Sequence, residues 1–221
     1  MTKLDSAIAL VVDDSNSPLR RAVVEALLAQ GATVVVPAAS GLSHDRLSPY
    51  DGELAGRDGV DALFASAVER HGKVDVVVLT GGDLADRTLT ELDGDGWSEA
   101  SRTLDRLVWG MRASLAHMSP RGGGRVVVTL GAEAKVGRAG AAVAAAVGHA
   151  AYGLVKVAAK EGGPQGVTVN AVLSNTRAGD SLNGRATVPA EVAGAVVLLA
   201  SPDGGGMSGV AFPVDGGVSP Y

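Results

Sequence analysis

GLVKVAAKEGGPQGVTVNAV, residues 153–172, is the stretch on which the fold turns. Its first half continues a helix-like pattern that begins at Ala139 and runs to Glu161. The glycines and proline of GGPQG interrupt that pattern, and VTVNAV (167–172) follows as an unbroken apolar run. A strand without polar alternation is one buried on both faces, as the strands of a parallel sheet are.

Outward from this unit the alternation continues. Apolar runs stand at IALVV (8–12), TVVV (33–36), VDVVVL (74–79) and RVVVTL (125–130), and GVAFPVDGG (209–217) supplies a last strand. Helix-like segments lie between them at Pro18–Gln30, Gly59–His71, Gly96–Met118 and Pro189–Ala200. The pattern predicts an α/β fold: a single Rossmann-type, doubly wound parallel sheet of six or seven strands with helices on both faces, residues 1–221 forming one domain. Ligands of such sheets sit beyond the carboxyl ends of the strands. Those ends are Asp13–Pro18, Thr80–Asp83, Gly131–Arg138 and Ser174–Asp180.

Composition narrows the function classes. Hydrophobic residues make up 46% of 221 and aromatics only 3%, so the core is built from Ala, Val and Leu. A net charge of −5 excludes nucleic acid as a partner, which needs a basic face. The absence of cysteine excludes disulfides and thiolate chemistry. The N-terminal apolar run, Ala7 to Val12, is too short for a signal peptide or a membrane span, so no membrane partner and a cytoplasmic location are expected.

Several blocks resemble the short-chain dehydrogenase/reductase family: GKVDVVVLTGG (72–82), GGGRVVV (122–128), the opening stretch, PAEVAGAVVLLAS (189–201) and SGVAFPVDGG (208–217), with QGATVVV (30–36) in the first third. The resemblance covers nearly the whole chain and implies a nicotinamide dinucleotide on the glycine-rich turn after the first strand, Thr-Gly-x-x-x-Gly-x-Gly. Aligned back from QGA, the three glycine positions hold Asp14, Pro18 and Arg20. Glycines there let backbone N–H groups approach a pyrophosphate. A carboxylate about 4 Å from a phosphate charge costs roughly 4 kcal/mol at intermediate dielectric. Ser17-Pro18 still makes a sound helix start. The expectation is that no cofactor is bound.

The family's catalytic residues fare the same way. Its serine falls on Gly131, its tyrosine on Ala144 and its lysine on Gly148. A tempting substitute, Tyr152 and Lys156 in AYGLVK, comes eight residues late, about 12 Å along a helix and about 80° round it. The asparagine of the family's relay falls near Thr103 or Leu104, and its Pro-Gly after the sixth strand reads Ser174-Asn175. The family's adenine-side aspartate falls near Glu53.

These substitutions predict a non-catalytic subunit that oligomerises with itself or with an active relative. The assembly helices would be 96–118 and 139–161, the latter rich in small residues that permit close helix packing. The alternative is non-redox chemistry in the old pocket (cyclisation, isomerisation or dehydration), with Glu133, His149, Thr80 or Asp83 as acid–base groups. Residual NAD(P)-dependent oxidoreductase activity is a third reading. The start of the chain, ALVVDDSNSPLRRAVVEALLAQGATVV, also resembles a response-regulator receiver, but the phosphoacceptor position is Thr80. Asp13 and Asp14 read as solvated loop carboxylates, and no metal site is expected.

Overall fold

The computed structural model describes residues 2–37 and 42–219. Seven strands form one wholly parallel sheet: β1 (Ile8–Val12), β2 (Thr33–Pro37), β3 (Leu47–Tyr50), β4 (Val76–Thr80), β5 (Gly124–Gly131), β6 (Val167–Ser174) and β7 (Ala211–Val214). Their order across the sheet is β3-β2-β1-β4-β5-β6-β7. The order reverses between β1 and β4, which opens a crevice at the carboxyl ends of those two strands.

Alternate residues of each strand feed opposite faces. Leu10 and Val12 of β1 join one core layer with α2 (Gly56–His71), α3 (Gly94–Met118) and α5 (Ala142–Gly162). Ala9 and Val11 join the other with α1 (Pro18–Ala29) and α6 (Pro189–Ala200). Among the described residues Phe64 is the one large aromatic buried completely, so the core is aliphatic, as the composition implies. The helix 142–165 is long and apolar enough to cross a membrane by composition alone. Its Val143, Val147, Ala151 and Val155 instead pack into the sheet layer.

Boundaries follow local chemistry. Ser17 caps α1 by accepting the Arg20 N–H, with Pro18 at its first turn. Asp93 caps α3 through the Gly96 N–H, so that helix starts two residues before the predicted Gly96. The stretch read as loop before α5 contains a single helical turn, α4 (Glu133–Val136), ended by Gly137 at φ 68°. β3, LSPY, is a strand beyond the runs named from the sequence, and it carries Pro49, a residue disfavoured within a ladder. It is an edge strand, where a missing N–H is tolerated, as is β7 with Pro213.

Candidate active site

Two adjoining cavities, of about 510 and 690 Å³, run along the carboxyl ends of the strands and share Gly82, Asp83 and Leu84. The larger lies over the ends of β2 and β3 and is lined by Tyr50, Asp51, Glu53, Thr103 and Arg106, among others. The smaller lies over β4, β5 and β6, between Asp13 and Pro18 on one side and Gly131, Ala144 and Gly148 on the other. Each falls in the size range of ligand sites.

The turn after β1 is held rigidly. Asp13 is buried, not solvated as the sequence suggested. Its carboxylate accepts the Thr80 hydroxyl at 2.6 Å and the Ser15 N–H at 2.8 Å, tying the turn to the end of β4. Arg20 turns inward and donates to the carbonyls of Ser15 and Pro37. Burial pushes its guanidinium below the ordinary value, and Asp13 and Asp14 oppose that shift. Arg21 pairs with Glu25. Neither arginine faces the groove as a phosphate ligand.

Asp14 projects into the larger cavity, but not as a bare charge. Arg106, from α3, meets its carboxylate at 2.7 Å. The Arg106 side chain is only 13% exposed, and its Nε has no hydrogen-bond partner among the described residues. The sequence reading missed this residue. Its signal was its place one helical turn beyond Thr103, which lines the same cavity.

Of the four acid–base candidates, Thr80, Asp83 and Glu133 line the smaller cavity. His149 does not: it is exposed on α5, its ring nitrogen 2.9 Å from the Ala145 carbonyl. Thr80 is engaged with Asp13, and Asp83 is exposed where the cavities join. Tyr152 and Lys156 touch each other, the ammonium 4.1 Å from the ring centre, and line neither of these cavities. His117 stacks on Phe64 and is a packing residue.

Over the mouth of the smaller cavity, Asp86 accepts from Arg138 at 2.5 Å and from Arg177. The hydrogen bond from Arg138, reinforced by that from Arg177, holds the Asp86 carboxyl below the ordinary range in spite of some burial. Asp86 follows β4, Arg138 follows β5 and Arg177 follows β6, so one carboxylate joins three loops.

The groove fits a dinucleotide in its position at the strand-order reversal and in having an arginine beside the Asp14 carboxylate. The chain is 29% identical over 240 aligned positions to the 3-oxoacyl-[acyl-carrier-protein] reductase FabG of Vibrio harveyi, covering 97% of this chain and 98% of that protein. It is 32% identical to the short-chain reductase NovJ of Streptomyces niveus, covering 95% of this chain and 84% of the relative. A 3-ketoacyl-(acyl-carrier-protein) reductase of Brucella melitensis, solved in complex with NADH, shares the fold at a TM-score of 0.89 and 20% identity over 98% of this chain and 99% of its own.

These matches overturn two expectations drawn from the substituted positions: that the chain is a non-catalytic subunit, and that it takes no cofactor. The non-redox reading falls with them, since the end-to-end relatives are reductases. The physical reason for the error is that Asp14 was weighed as an isolated charge, whereas Arg106 offsets it. The family model for short chain dehydrogenases matches residues 9–178, and the chain belongs to the short-chain dehydrogenase family.

Proposed function

We propose that this protein is a nicotinamide-dinucleotide-linked oxidoreductase that interconverts a carbonyl and an alcohol, with residues 1–221 acting as one domain. The observation that carries the reading is the groove itself, continuous past the strand-order reversal. Tyr50, Asp51 and Glu53 would hold the adenosine end, and Ser15, the start of α1 and Arg106 the diphosphate. Gly81 and Gly82 would lie along its middle, and the smaller cavity would take the nicotinamide and the substrate. The bound cofactor supplies or accepts hydride there.

In this reading the three glycine positions are genuinely replaced by Asp14, Pro18 and Arg20, and the serine, tyrosine and lysine positions by Gly131, Ala144 and Gly148. The substrate cavity has apolar walls from Leu84, Leu130, Val147 and Val192. They suit a carbonyl carried on an aliphatic chain, the class named for the 3-oxoacyl reductases among the relatives. Self-association through α3 and α5 belongs to the same proposal, supported by an exposed stripe of Ala146, Ala150, Gly153 and Val157 at helical spacing.

Thermal unfolding with and without about 1 mM NADH tests it. A site of roughly 10 μM affinity adds about 2.7 kcal/mol at that concentration, which raises the midpoint of a domain this size by roughly 5–10 °C. An unmoved midpoint with NADH and with NADPH overturns the proposal.

A further inference from the structure

The carboxylate of Glu133 occupies the space that a side chain at position 131 would fill. A Cβ placed on Gly131 would lie 2.1 Å from Glu133 Oε1 and 2.4 Å from its Cδ. The arrangement depends on a second glycine. A Cβ at Gly148 would lie 2.5 Å from the Cβ of Ala134 and 2.9 Å from its Cα, so α4 rests directly on the α5 backbone. Gly148 lets α4 settle into the pocket, and Gly131 leaves room for the carboxylate that α4 carries. The turn is anchored from the other side by the Ala132 N–H, which donates to the Ser174 carbonyl at 2.7 Å.

A second feature of the same cavity points to a ligand. Thr129 is among the residues of its wall, is 2% exposed, and its buried hydroxyl has no hydrogen-bond partner among the described residues. A buried hydroxyl without a partner is costly unless something else bonds it. A substrate oxygen in the cavity would do so.

We infer that Glu133 is the acid–base group of this pocket, taking the place of the missing tyrosine; the inference rests on the oxidoreductase reading above. In the oxidative direction the substrate O–H bond breaks and its proton passes to the Glu133 carboxylate. The O–H electron pair becomes the second carbon–oxygen bond, and the carbinol hydrogen leaves with its two electrons as hydride to an oxidised nicotinamide dinucleotide. Reduction reverses each transfer, the carbonyl oxygen taking its proton from the Glu133 carboxylic acid. The other charged residues lining the cavity are Asp13, Asp83, Asp86 and Arg138, the last on the segment that follows Glu133, with Lys135 two residues on from Glu133. Arg138 is engaged by Asp86, and the Lys135 ammonium reaches the Ser219 carbonyl at 3.3 Å.

The test compares wild type with Glu133→Gln and Gly131→Ser, using NADH and the acetoacetyl thioester of N-acetylcysteamine. Glu133→Gln should bind NADH within about twofold of wild type and lose roughly 10²- to 10⁴-fold in turnover, the size of a lost general acid. Gly131→Ser, whose side chain displaces the carboxylate, should also lose turnover while binding NADH. Carbodiimide labelling mapped by mass spectrometry reads the site without turnover. Glu133 should be labelled in the free protein and protected by NADH with the thioester, whereas exposed Glu25 should be labelled in both. Failure of wild type to bind NADH overturns the oxidoreductase reading and this inference together. Intact NADH binding with undiminished Glu133→Gln turnover, or with no protection of Glu133, overturns the inference alone.

Discussion

Arg106 Nη1 stands 2.7 Å from the Asp14 carboxylate, joining α3 to the turn after β1 across 92 residues of chain. The pair converts what would be a repulsive carboxylate at a diphosphate site into a neutral, hydrogen-bonding surface. Arg106→Ala should therefore weaken NADH binding about 10- to 100-fold, roughly 1.4–2.7 kcal/mol. Asp14→Gly added to it should restore part of the loss. Calorimetric titration of the two variants checks this, and equal affinity for wild type and Arg106→Ala would show that the pairing is irrelevant to binding.

The end of the groove over β2 and β3, where the proposed cofactor would place its adenosine, carries Asp51, Glu53, Glu99 and Asp105 against Arg102 and Arg106, and Arg106 is engaged. A 2′-phosphate would meet these carboxylates, whereas a free ribose hydroxyl can donate to one of them. NADH should bind at least about tenfold more tightly than NADPH, a difference of about 1.4 kcal/mol. Parallel thermal-shift titrations give the ratio; a preference for NADPH would contradict the electrostatic argument.

Gly148 is a position where added volume meets backbone, the Cα of Ala134 at 2.9 Å from an introduced Cβ. Gly148→Ala should cost about 1–3 kcal/mol through overpacking and lower the midpoint by several degrees. Gly194→Ala, an exposed glycine of α6 with open space around it, should be neutral or slightly stabilising. Differential scanning calorimetry of both separates local crowding from a general effect of removing glycine.

Glu191 near the start of α6 accepts from Arg185 at 2.5 Å and from the Val188 N–H at 3.1 Å. The Arg185 hydrogen bond, then the backbone one, pulls its carboxyl from the ordinary 4.5 down to about 2. A folded value below the unfolded one means the stabilisation is complete above about 4.5 and is lost as pH falls toward about 2. Glu191→Gln should flatten the stability–pH curve in that window and leave its shape near pH 7 unchanged, as urea melts at several pH values would show.

Tyr152 and Lys156 are spaced like a catalytic pair and form one contact, a cation over a ring, away from the groove. Tyr152→Phe should leave turnover and NADH affinity within about twofold of wild type. Lys156→Ala should cost only the exposed cation–π term, about 0.5–1 kcal/mol. A hundredfold loss of turnover in Tyr152→Phe would return that tyrosine to the active site.

The sheet was legible because unbroken valine-rich runs such as RVVVTL and VTVNAV have few other structures open to them. β3 was not, because its proline is admissible only at an edge, and edges are assigned by the assembled sheet. Gly131, Ala144 and Gly148, brought to notice by motif spacing, line one cavity. What spacing could not reveal were contacts between segments. The compensation of Asp14 comes from another helix. The Glu133 carboxylate reaches the space above Gly131 only because α4 sits against a glycine of α5. Counting which groups had been removed, without seeing which had moved in, led to the wrong conclusion about the cofactor.

Asp86 gathers Arg138 and Arg177 from two further loops above the smaller cavity. Three segments that follow different strands thus share one fastening point, so loss of Asp86 alone would release the β5 loop that carries Glu133 and the β6 loop together.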